Sequence, residues 1–374
     1  MRRSRTFVVA EIGVNHNGSL ALAKKLVDAA VAAGADAVKF QSFHAESLVS
    51  STAPKADYQK DSLEDTEPQY EMLRKLQLSI ADHGVLRRYC EERHIEFMST
   101  PFDMESVRML VRDLNVTRIK IASGEVTNFP LLVEIARAKK PVILSTGMCT
   151  LGEVESALAA LAFGFIHTTS SEPTLTEFYH AYCSTDGQIA LSQKVCLLHT
   201  TSEYPAPMEQ VNLRAMNTLE QAFRLPVGLS DHTQGFSVAI AAVARGAAMI
   251  EKHITLDCSM EGPDHSASME PDGFKQMVKC IREVEIALGS ALKHPMPSER
   301  GNAQVSRKSI VAAMPIAQGD IFNAENLTAK RPGTGISPMY YWELLGKVAP
   351  RPYKKDEMIE WTLPFLGQGD SPKK

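Results

Sequence analysis

Polar side chains that could do chemistry recur behind a series of short apolar runs in this chain. The polar residues that end or follow these runs are Glu11, Asn15, His16, Lys39, Gln41, Ser99, Thr100, Lys120, Ser123, Glu125, Ser145, Thr146, His199, Ser230, Asp231, His232, Glu251, Lys252 and His253. One such residue is usually exposed or caps the next helix. Burying many of them together costs free energy unless they satisfy one another or a ligand. We therefore treat them as one candidate site.

The charges in this set indicate an anionic ligand. Lys39 and Lys120 are two cations that would face one opening, and several hydroxyl donors accompany them: Thr100, Ser123, Ser145 and Ser230. Ammonium groups, hydroxyls and backbone N–H groups together suit a small ligand that carries a phosphate and a carboxylate.

Two histidines in the set indicate a metal ion. His232 and His253 follow neighbouring predicted strands and can present two imidazoles to one ion. Two histidines with oxygen donors fit Mn, Fe, Co or Zn by ligand type, and an open coordination position would make the metal a Lewis acid. His199 is a possible further ligand, and its alternative role is to orient a neighbour by a hydrogen bond.

The elements that must position these residues alternate along the chain. Predicted strands cover Phe7–Ile12, Ala37–Gln41, Glu96–Thr100, Arg118–Ala122, Val142–Ser145, Val195–His199, Val227–Ser230 and Met249–Ile254. Amphipathic helices are predicted at Leu20–Ala33, Ser106–Leu114, Pro130–Ala138, Leu151–Leu161, Leu213–Phe223, Ser237–Ala244 and Gly273–Leu288. This order predicts an α/β fold of the (β/α)8 TIM-barrel type, whose chemistry lies at the carboxyl ends of the strands. A doubly wound sheet competes, but GVNHNG after the first strand lacks the GxGxxG spacing.

Composition changes divide the chain further. We predict a barrel domain over 1–290, a linker over 291–306, a small β-rich domain over 307–368 and a tail over 369–374. The stretch 163–194 is polar and rich in Ser and Thr, and we interpret it as a surface insertion. His167, His180 and Cys183 in it are accordingly not assigned to a metal site.

Charge and cysteine usage exclude several classes of protein. The formal net charge is −4 without a basic block, which disfavours nucleic acid as a partner. No apolar run reaches the length of a membrane span, and Glu11 interrupts the apolar N-terminal run, so neither a membrane protein nor a signal peptide is predicted. Six scattered cysteines without a CxxC pair are typical of reduced thiols, which favours the cytoplasm.

An ordered set of motifs resembles one enzyme family. The motifs are AEIGVNHNG (10–18), VKFQ (38–41), STPF (99–102), KIASGE (120–125), LSTGM (144–148), LLHTTSEYP (197–205), GLSDHT (228–233), IEKHIT (250–255) and GPDHSASMEP (262–271). Together they resemble the N-acetylneuraminate (sialic acid) synthase family, which includes the legionaminic acid synthases. RKSIVA (307–312) and KRPGTGIS (330–337) resemble the antifreeze-protein-like SAF domain of those enzymes, a β-clip fold.

The resemblance implies roles for particular residues. It implies Mn²⁺, with Mg²⁺ or Co²⁺ as alternatives, on His232 and His253, and an acid–base role for Glu11 beside the metal. Its phosphoenolpyruvate positions correspond to Lys39, Thr100, Lys120, Ser123, Ser145 and Ser230. Its amino-sugar positions correspond to Glu125, Tyr204, Asp264 and Arg331, the last reaching the sugar from the partner chain of a domain-swapped homodimer. The long 163–194 stretch and Ser202, where some members have Asn, depart from the pattern.

The implied activity is a transferase-type condensation of phosphoenolpyruvate with an open-chain N-acetylated amino sugar, by metal-assisted C–C bond formation and C–O cleavage. N-acetylmannosamine would give N-acetylneuraminate, which we take as the first expectation. The alternative sugar, 2,4-diacetamido-2,4,6-trideoxymannose, would give legionaminate. Barrel enzymes that make Kdo 8-phosphate or DAHP lack the terminal domain, and a silent sugar- or ice-binding protein would not need two lysines and two histidines at one opening.

Overall fold

The computed structural model describes residues 5–55, 67–167 and 173–361. These residues form two compact units, which divide between Gly289 and Ser290. In the first unit, the described strands are β1 (Phe7–Gly13), β2 (Ala37–Ser42), β3 (Glu96–Pro101), β4 (Ile119–Ile121), β5 (Val142–Ser145), β6 (Val195–Thr200), β7 (Val227–Asp231) and β8 (Met249–His253). They pair in parallel in the order β3-β2-β1-β8-β7-β6-β5-β4. Because β3 and β4 also lie beside each other, the sheet forms a nearly closed barrel. The predicted TIM-barrel class is confirmed.

Helices cover the outside of this barrel. The described α-helices are α1 (Leu20–Ala33), α2 (Ala45–Leu48), α3 (Gln69–Leu76), α4 (Ile80–Glu92), α5 (Met104–Arg108), α6 (Phe129–Arg137), α7 (Leu151–Ile166), α8 (Leu175–Cys183), α9 (Thr185–Lys194), α10 (Ala215–Phe223), α11 (Ser237–Ala244) and α12 (Pro271–Leu288), and α5 continues as a π-helix over Met109–Asp113. Their ends follow local sequence. Ser19 Oγ accepts from Leu22 N at the start of α1, and Gly34 ends that helix in the left-handed region at φ 84°.

Strand side chains alternate between the inside of the barrel and the helix layer. On the inside, an apolar floor contains Val9, Ala37, Met98, Ile143, Leu198 and Met249. Two residues further along their strands, the same face carries Glu11, Lys39, Thr100, Ser145, Thr200 and Glu251. The period of two therefore places a layer of buried polar groups directly above the apolar floor, at the carboxyl ends of the strands.

Helix α4 is one of five described helices of the barrel unit, with α2, α3, α8 and α9, that have no counterpart in the sequence prediction. Helix α4 buries His83, Leu86 and Cys90, which follow helical spacing. A histidine and a cysteine carry two of these three positions, Gly84 interrupts the segment, and Ile80 is exposed, so the hydrophobic pattern is weak. The helix starts at a capping box of Ser79 and Asp82, which is the clearer signal.

The stretch 163–194 differs from the expected surface insertion. Phe163 and Phe165 belong to α7 and are buried in the main core, which also includes Phe178, Ala181 and Leu191 from α8 and α9. Residues 168–172 lie outside the described part. The apolar residues on one face of α8 and α9 make this segment part of the helix layer, although its overall composition is polar.

The second unit has its own small core. The predicted linker includes helix α13 (Arg300–Ser306), and beyond it β9 (Ser309–Ala312) pairs antiparallel with β10 (Leu327–Lys330). Helix α14 (Tyr341–Leu344) and isolated bridges such as Ile316–Tyr353 complete the described part. The apolar residues of this core are Ile310, Ala312, Ile316, Phe322, Leu327, Leu344, Ala349, Tyr353 and Ile359.

Over the described residues, no helix combines the length and hydropathy that a bilayer crossing requires.

Candidate active site

A cavity of about 490 Å³ opens at the carboxyl ends of the barrel strands. Its polar lining includes Glu11, Lys39, Gln41, Thr100, Lys120, Ser123, Ser145, Thr200, Ser202, Tyr204, Ser230, His232, Glu251 and His253. A concave site with convergent polar groups is the usual form of a small-molecule site. All the residues that the sequence assigned to phosphoenolpyruvate or a metal are in this set, and Glu11 and Tyr204 join them.

Lys39 lies at the centre of a set of buried charges, Lys39, Lys120, Glu11 and Glu251, which we call the ionic group. Its Nζ is 2.7 Å from Glu11 Oε2 and 3.8 Å from Glu251 Oε1, and it donates to Thr100 Oγ1 at 3.1 Å. All four side chains are buried. Thr100 is therefore engaged by Lys39 and sets the direction of its ammonium group.

Lys120 has a less complete set of partners. Its Nζ is 3.5 Å from Glu251 Oε1, which also accepts from Ser230 Oγ at 3.0 Å. Among the described residues, Glu251 Oε2 and Ser145 Oγ are buried without a hydrogen-bond partner. Buried polar atoms without partners are rare in proteins and indicate a missing ligand or water.

Burial and charge shift the pKa values of this group. Burial raises the pKa of Glu11 to about 7, although Lys39 opposes the shift. Burial lowers the pKa of Lys120, and the Glu251 carboxylate only partly offsets this. Burial would also lower the pKa of Lys39, but Glu11 and Glu251 together raise it above its ordinary value. The two lysines therefore differ, and Lys120 is the cation that gains more from a new anionic partner.

The two histidines lie above the ionic group. The ring centroids of His232 and His253 are 5.5 Å apart, and Tyr204 stacks on His232 at 4.1 Å. His232 Nδ1 is 2.8 Å from the Thr201 carbonyl oxygen, so this nitrogen donates its hydrogen and Nε2 keeps its lone pair. Nε2 is 3.4 Å from Ser230 Oγ. This tautomer leaves Nε2 available as a ligand atom.

Asp264 completes the surroundings of the second histidine. Its Oδ2 is 3.6 Å from His253 Nδ1, a buried nitrogen without a hydrogen-bond partner among the described residues. Burial lowers the pKa of His232 to about 4 and that of His253 well below its ordinary value, so both rings are neutral at pH 7. Burial raises the pKa of Asp264 to about 6.

The donor set is compatible with a metal ion at the two rings. Neutral imidazoles with lone pairs are the form that binds metals, and the unpartnered His253 nitrogen fits that role. Over the described residues, no group of three or more His, Cys, Asp or Glu side chains is arranged to hold an ion. A metal here would therefore keep most of its coordination positions for water and substrate oxygen atoms.

Several predicted site residues do not line this cavity: Asn15, His16, Ser99, Thr146, Asp231, Lys252 and Asp264, together with the three described next. Glu125 does not line the cavity, and its carboxylate accepts from Asn128 Nδ2 at 2.7 Å. His199 Nε2 is 2.6 Å from the Val211 carbonyl oxygen, so it orients that loop and does not line the cavity. Arg331 belongs to the second unit, where its exposed side chain donates from Nε to Ser306 O at 3.0 Å.

Two lining residues were noted in the sequence but given no role. Glu251 precedes His253 by two positions on β8, and Gln41 follows Lys39 by two on β2. The same period of two that orients the floor residues assigns each pair to one face. Gln41 Nε2 lies 3.5 Å from Glu11 Oε1, and Glu251 is the carboxylate that forms ion pairs with both lysines. Spacing along the strand was the available signal for both residues.

A second ion pair lies behind the site, in the helix layer. Lys252 alternates with Glu251 and His253, so it shares the outer face of β8 with the core residues Ile250 and Ile254. Its Nζ is 3.0 Å from Asp231 Oδ2 and also donates to the Thr233 carbonyl oxygen. Asp231 Oδ1 accepts from Thr233 N at 2.9 Å. Lys252 of β8 thus binds Asp231 and Thr233, the two residues that flank His232 at the end of β7, and so joins the ends of the two strands.

Two family models match this chain, over successive parts of its length. The NeuB family profile matches residues 26–293, and the SAF domain profile matches residues 307–363. This chain belongs to the NeuB family. The resemblance stated from the motifs is thereby confirmed, and so is the terminal SAF domain.

Three relatives of this NeuB-family chain are particularly informative. It is 47% identical to the N,N'-diacetyllegionaminic acid synthase of Campylobacter jejuni, over 95% of this chain and 99% of that protein. It is 46% identical to the enzyme of the same name from Legionella pneumophila, over 91% and 89%. The crystal structure of N-acetylneuraminic acid (sialic acid) synthetase from Leptospira borgpetersenii matches with a TM-score of 0.63 and 28% identity, over 80% and 90%. These relatives are synthases, and this NeuB-family chain is an enzyme.

We predict that changing Lys252 to Met destabilises the barrel, because it leaves the Asp231 carboxylate buried without its cation. The expected loss in the free energy of unfolding is about 3–5 kcal/mol. The double variant Lys252→Met/Asp231→Asn should recover much of it, since the introduced amide is neutral and its oxygen can still accept from Thr233. Urea unfolding of the two single variants and the double variant measures the coupling. A double variant no more stable than Lys252→Met would contradict the stabilising role of this pair.

Proposed function

We propose that this NeuB-family enzyme condenses phosphoenolpyruvate with open-chain 2,4-diacetamido-2,4,6-trideoxymannose to give N,N'-diacetyllegionaminate and inorganic phosphate. The observation that carries the reaction type is the convergence of Lys39 and Lys120, with Glu11 and Glu251, beneath two neutral imidazoles. The choice of sugar revises the first expectation from the sequence, N-acetylmannosamine, because the two relatives at 47% and 46% identity are diacetyllegionaminic acid synthases.

The electrostatics of the site support an enol phosphate as the first substrate. Lys120 is buried with a single carboxylate oxygen at 3.5 Å, so a phosphate or carboxylate oxygen would supply the partner that it lacks. Ser145 Oγ, buried without a partner among the described residues, is a further donor for the same ligand. Ser123 Oγ accepts from Gly147 N at 3.0 Å, which leaves its own hydrogen for the ligand. Together these groups would bind and orient phosphoenolpyruvate.

In the proposed reaction, carbon 3 of phosphoenolpyruvate attacks the aldehyde carbon of the sugar, and the aldehyde oxygen becomes a hydroxyl group. Positive charge develops at carbon 2, where nearby carboxylates stabilise it. Water then adds to carbon 2, and when the carbon–oxygen bond to phosphate breaks to leave a keto group, one proton of that water passes to the phosphate. The other proton is lost as the water adds, and it balances the proton taken up by the aldehyde oxygen. Glu11, whose pKa burial raises to about 7, would accept the proton lost as the water adds.

A divalent metal ion, for which Mn²⁺ is our first choice, would be held by His232 and His253 and would supply Lewis-acid polarisation of the sugar's aldehyde. The protein's own contribution is to keep both rings neutral and to fix the tautomer of His232 through the Thr201 carbonyl. Asp264 lies within 3.6 Å of His253 and would orient that ring or the sugar.

The sugar contacts and the assembly stay predictions. Tyr204 lines the cavity beside His232, so a contact with the sugar there is compatible with the geometry. Glu125 and Arg331 would need to meet the sugar from outside the described cavity lining. We propose that Arg331 does so across a domain-swapped homodimer and that the enzyme acts in the cytoplasm.

The reaction predicts phosphate release that depends on both substrates and proceeds by C–O cleavage. With phosphoenolpyruvate and the diacetamido sugar in H₂¹⁸O, the released phosphate should carry no solvent oxygen, because its bridging oxygen leaves with it. ³¹P NMR of the phosphate measures this, and phosphoenolpyruvate without sugar is the control. Sugar-independent release, or phosphate that contains solvent oxygen, would contradict the proposal.

The metal site predicts a selective loss of metal affinity on removing one ring. His253→Gln should weaken Mn²⁺ binding by more than about 100-fold, since even outer-shell changes often cost 10- to 100-fold. His199→Gln is the matched control, because that ring is bonded to Val211 O away from the cavity and should leave Mn²⁺ affinity unchanged. Isothermal titration after chelation measures both variants. Equal Mn²⁺ affinity in wild type and His253→Gln would rule out this ligand.

A further inference from the structure

One side of the active-site cavity is apolar. Leu48, Val49, Leu73 and Phe102 line the same cavity as the ionic group, and none of the four offers a side-chain hydrogen-bond donor or acceptor; Gln69 of α3 also lines the cavity and is not part of this set. The apolar residues come from α2, from the residue after it, from α3 and from the residue after β3. We call these four residues the apolar wall.

The apolar wall is a single packed surface. Its four members belong to one small hydrophobic cluster whose buried residues are Val14, Phe43, Ala45, Met72, Leu73 and Leu76. Leu48, Val49 and Phe102 are only partly buried by that cluster, and all three line the active-site cavity; Phe102 also lines a second cavity beside α5. The cluster therefore fixes the wall in place from behind and leaves its front open to a ligand.

The wall and the ionic group make opposite demands on a ligand. The ionic group stabilises charge, whereas a hydroxyl pressed against the wall would lose its water without gaining a partner. A methyl group there gains free energy by leaving water. The cavity therefore suits an anionic substrate at the ionic group and a substrate with apolar substituents at the wall.

We propose that the apolar wall is the subsite for the apolar substituents of the sugar, its terminal deoxy methyl group and its acetamido methyl groups. This inference rests on the proposed function, and it adds a residue-level reason for the choice of sugar. The diacetamido sugar presents a methyl group at carbon 6 and a second acetamido group at carbon 4. N-acetylmannosamine presents hydroxyl groups at both positions. The wall selects the first sugar.

The size of the selection follows from how apolar pockets discriminate. One methylene is worth about 10- to 200-fold in kcat/KM, and an apolar pocket rejects an added hydroxyl by roughly 100-fold. We expect the wild-type enzyme to prefer the diacetamido sugar by about 10- to 100-fold or more.

Helix α3 offers a matched pair of variants. Leu73 is 8% exposed and Leu76 is 7% exposed, and both belong to the same cluster, but only Leu73 lines the cavity. Leu73→Asn should reduce the preference at least tenfold, while Leu76→Asn should leave the ratio between the two sugars unchanged even if it lowers stability. Val49→Thr keeps the shape of the side chain and should reduce the ratio in the same direction.

The experiment measures kcat/KM for both sugars by phosphate release, and the melting temperature of each variant. It also measures binding of the two reduced sugars, the unreactive alditols, in the presence of phosphoenolpyruvate. A preference lost in Leu73→Asn and Val49→Thr but kept in Leu76→Asn supports the subsite. Equal ratios in all four proteins, or equal changes in Leu73→Asn and Leu76→Asn, overturn it. Absence of phosphate release in the wild type would contradict the proposed function. The subsite is then tested separately by the ratio of the affinities for the two reduced sugars, which should fall in Leu73→Asn but not in Leu76→Asn.

Discussion

The structure depends on burying four ionisable groups inside the barrel. Lys39, Lys120, Glu11 and Glu251 lie in one layer above an apolar floor, with Lys39 and Glu11 in contact at 2.7 Å. Removing charges from water costs several kcal/mol per ion, and only good geometry repays it. Here the ion pairs offset the desolvation free energy only in part, because Lys120 has a distant partner and one oxygen of Glu251 has none among the described residues. An unfinished set of interactions of this kind is expected of a site that a ligand completes.

The barrel keeps the charged residues that stabilise the strand ends apart from those that face the cavity. On the outer face of β7 and β8, both members of the Lys252–Asp231 pair have a further partner in Thr233, since Lys252 donates to its carbonyl oxygen and Asp231 accepts from its N–H. On the inner face of the same strands, His232, Glu251 and His253 keep atoms available. The outer pair therefore stabilises the strand ends, and the incomplete inner groups remain free to act on substrate. The apolar wall then gives the cavity a second chemical character without adding charge.

Much of this was predictable from the sequence, for reasons that are visible in particular residues. Position at the ends of apolar strands grouped Glu11, Lys39, Thr100, Ser145 and His253 in one candidate site, and the structure brings them to one cavity. The helix α4 was missed because His83 and Cys90 occupy positions that a hydrophobic pattern expects to be apolar. The packing of 163–194 was missed because its buried positions are few among many polar ones.

Other features required coordinates. Lys252 and Lys120 are both lysines within apolar strands. Only the coordinates show that Lys252 lies on the outer face and stabilises the strand ends, whereas Lys120 lies in the cavity. The roles of His199 and Glu125 were set by partners in loops, Val211 and Asn128, which no strand pattern indicates. The apolar wall combines α2, α3 and the end of β3, which are brought together only by folding.

The most direct test of the account is the affinity of the protein for phosphoenolpyruvate, measured by isothermal titration in wild type, Lys120→Met and Lys279→Met. Lys279 is an exposed lysine of α12 and controls for the loss of one positive charge. If Lys120 is the cation that the ligand completes, Lys120→Met should weaken binding by about 10- to 100-fold, as expected for a charge-assisted hydrogen bond. Lys279→Met should bind as wild type does. Equal affinities in all three proteins would contradict the central claim.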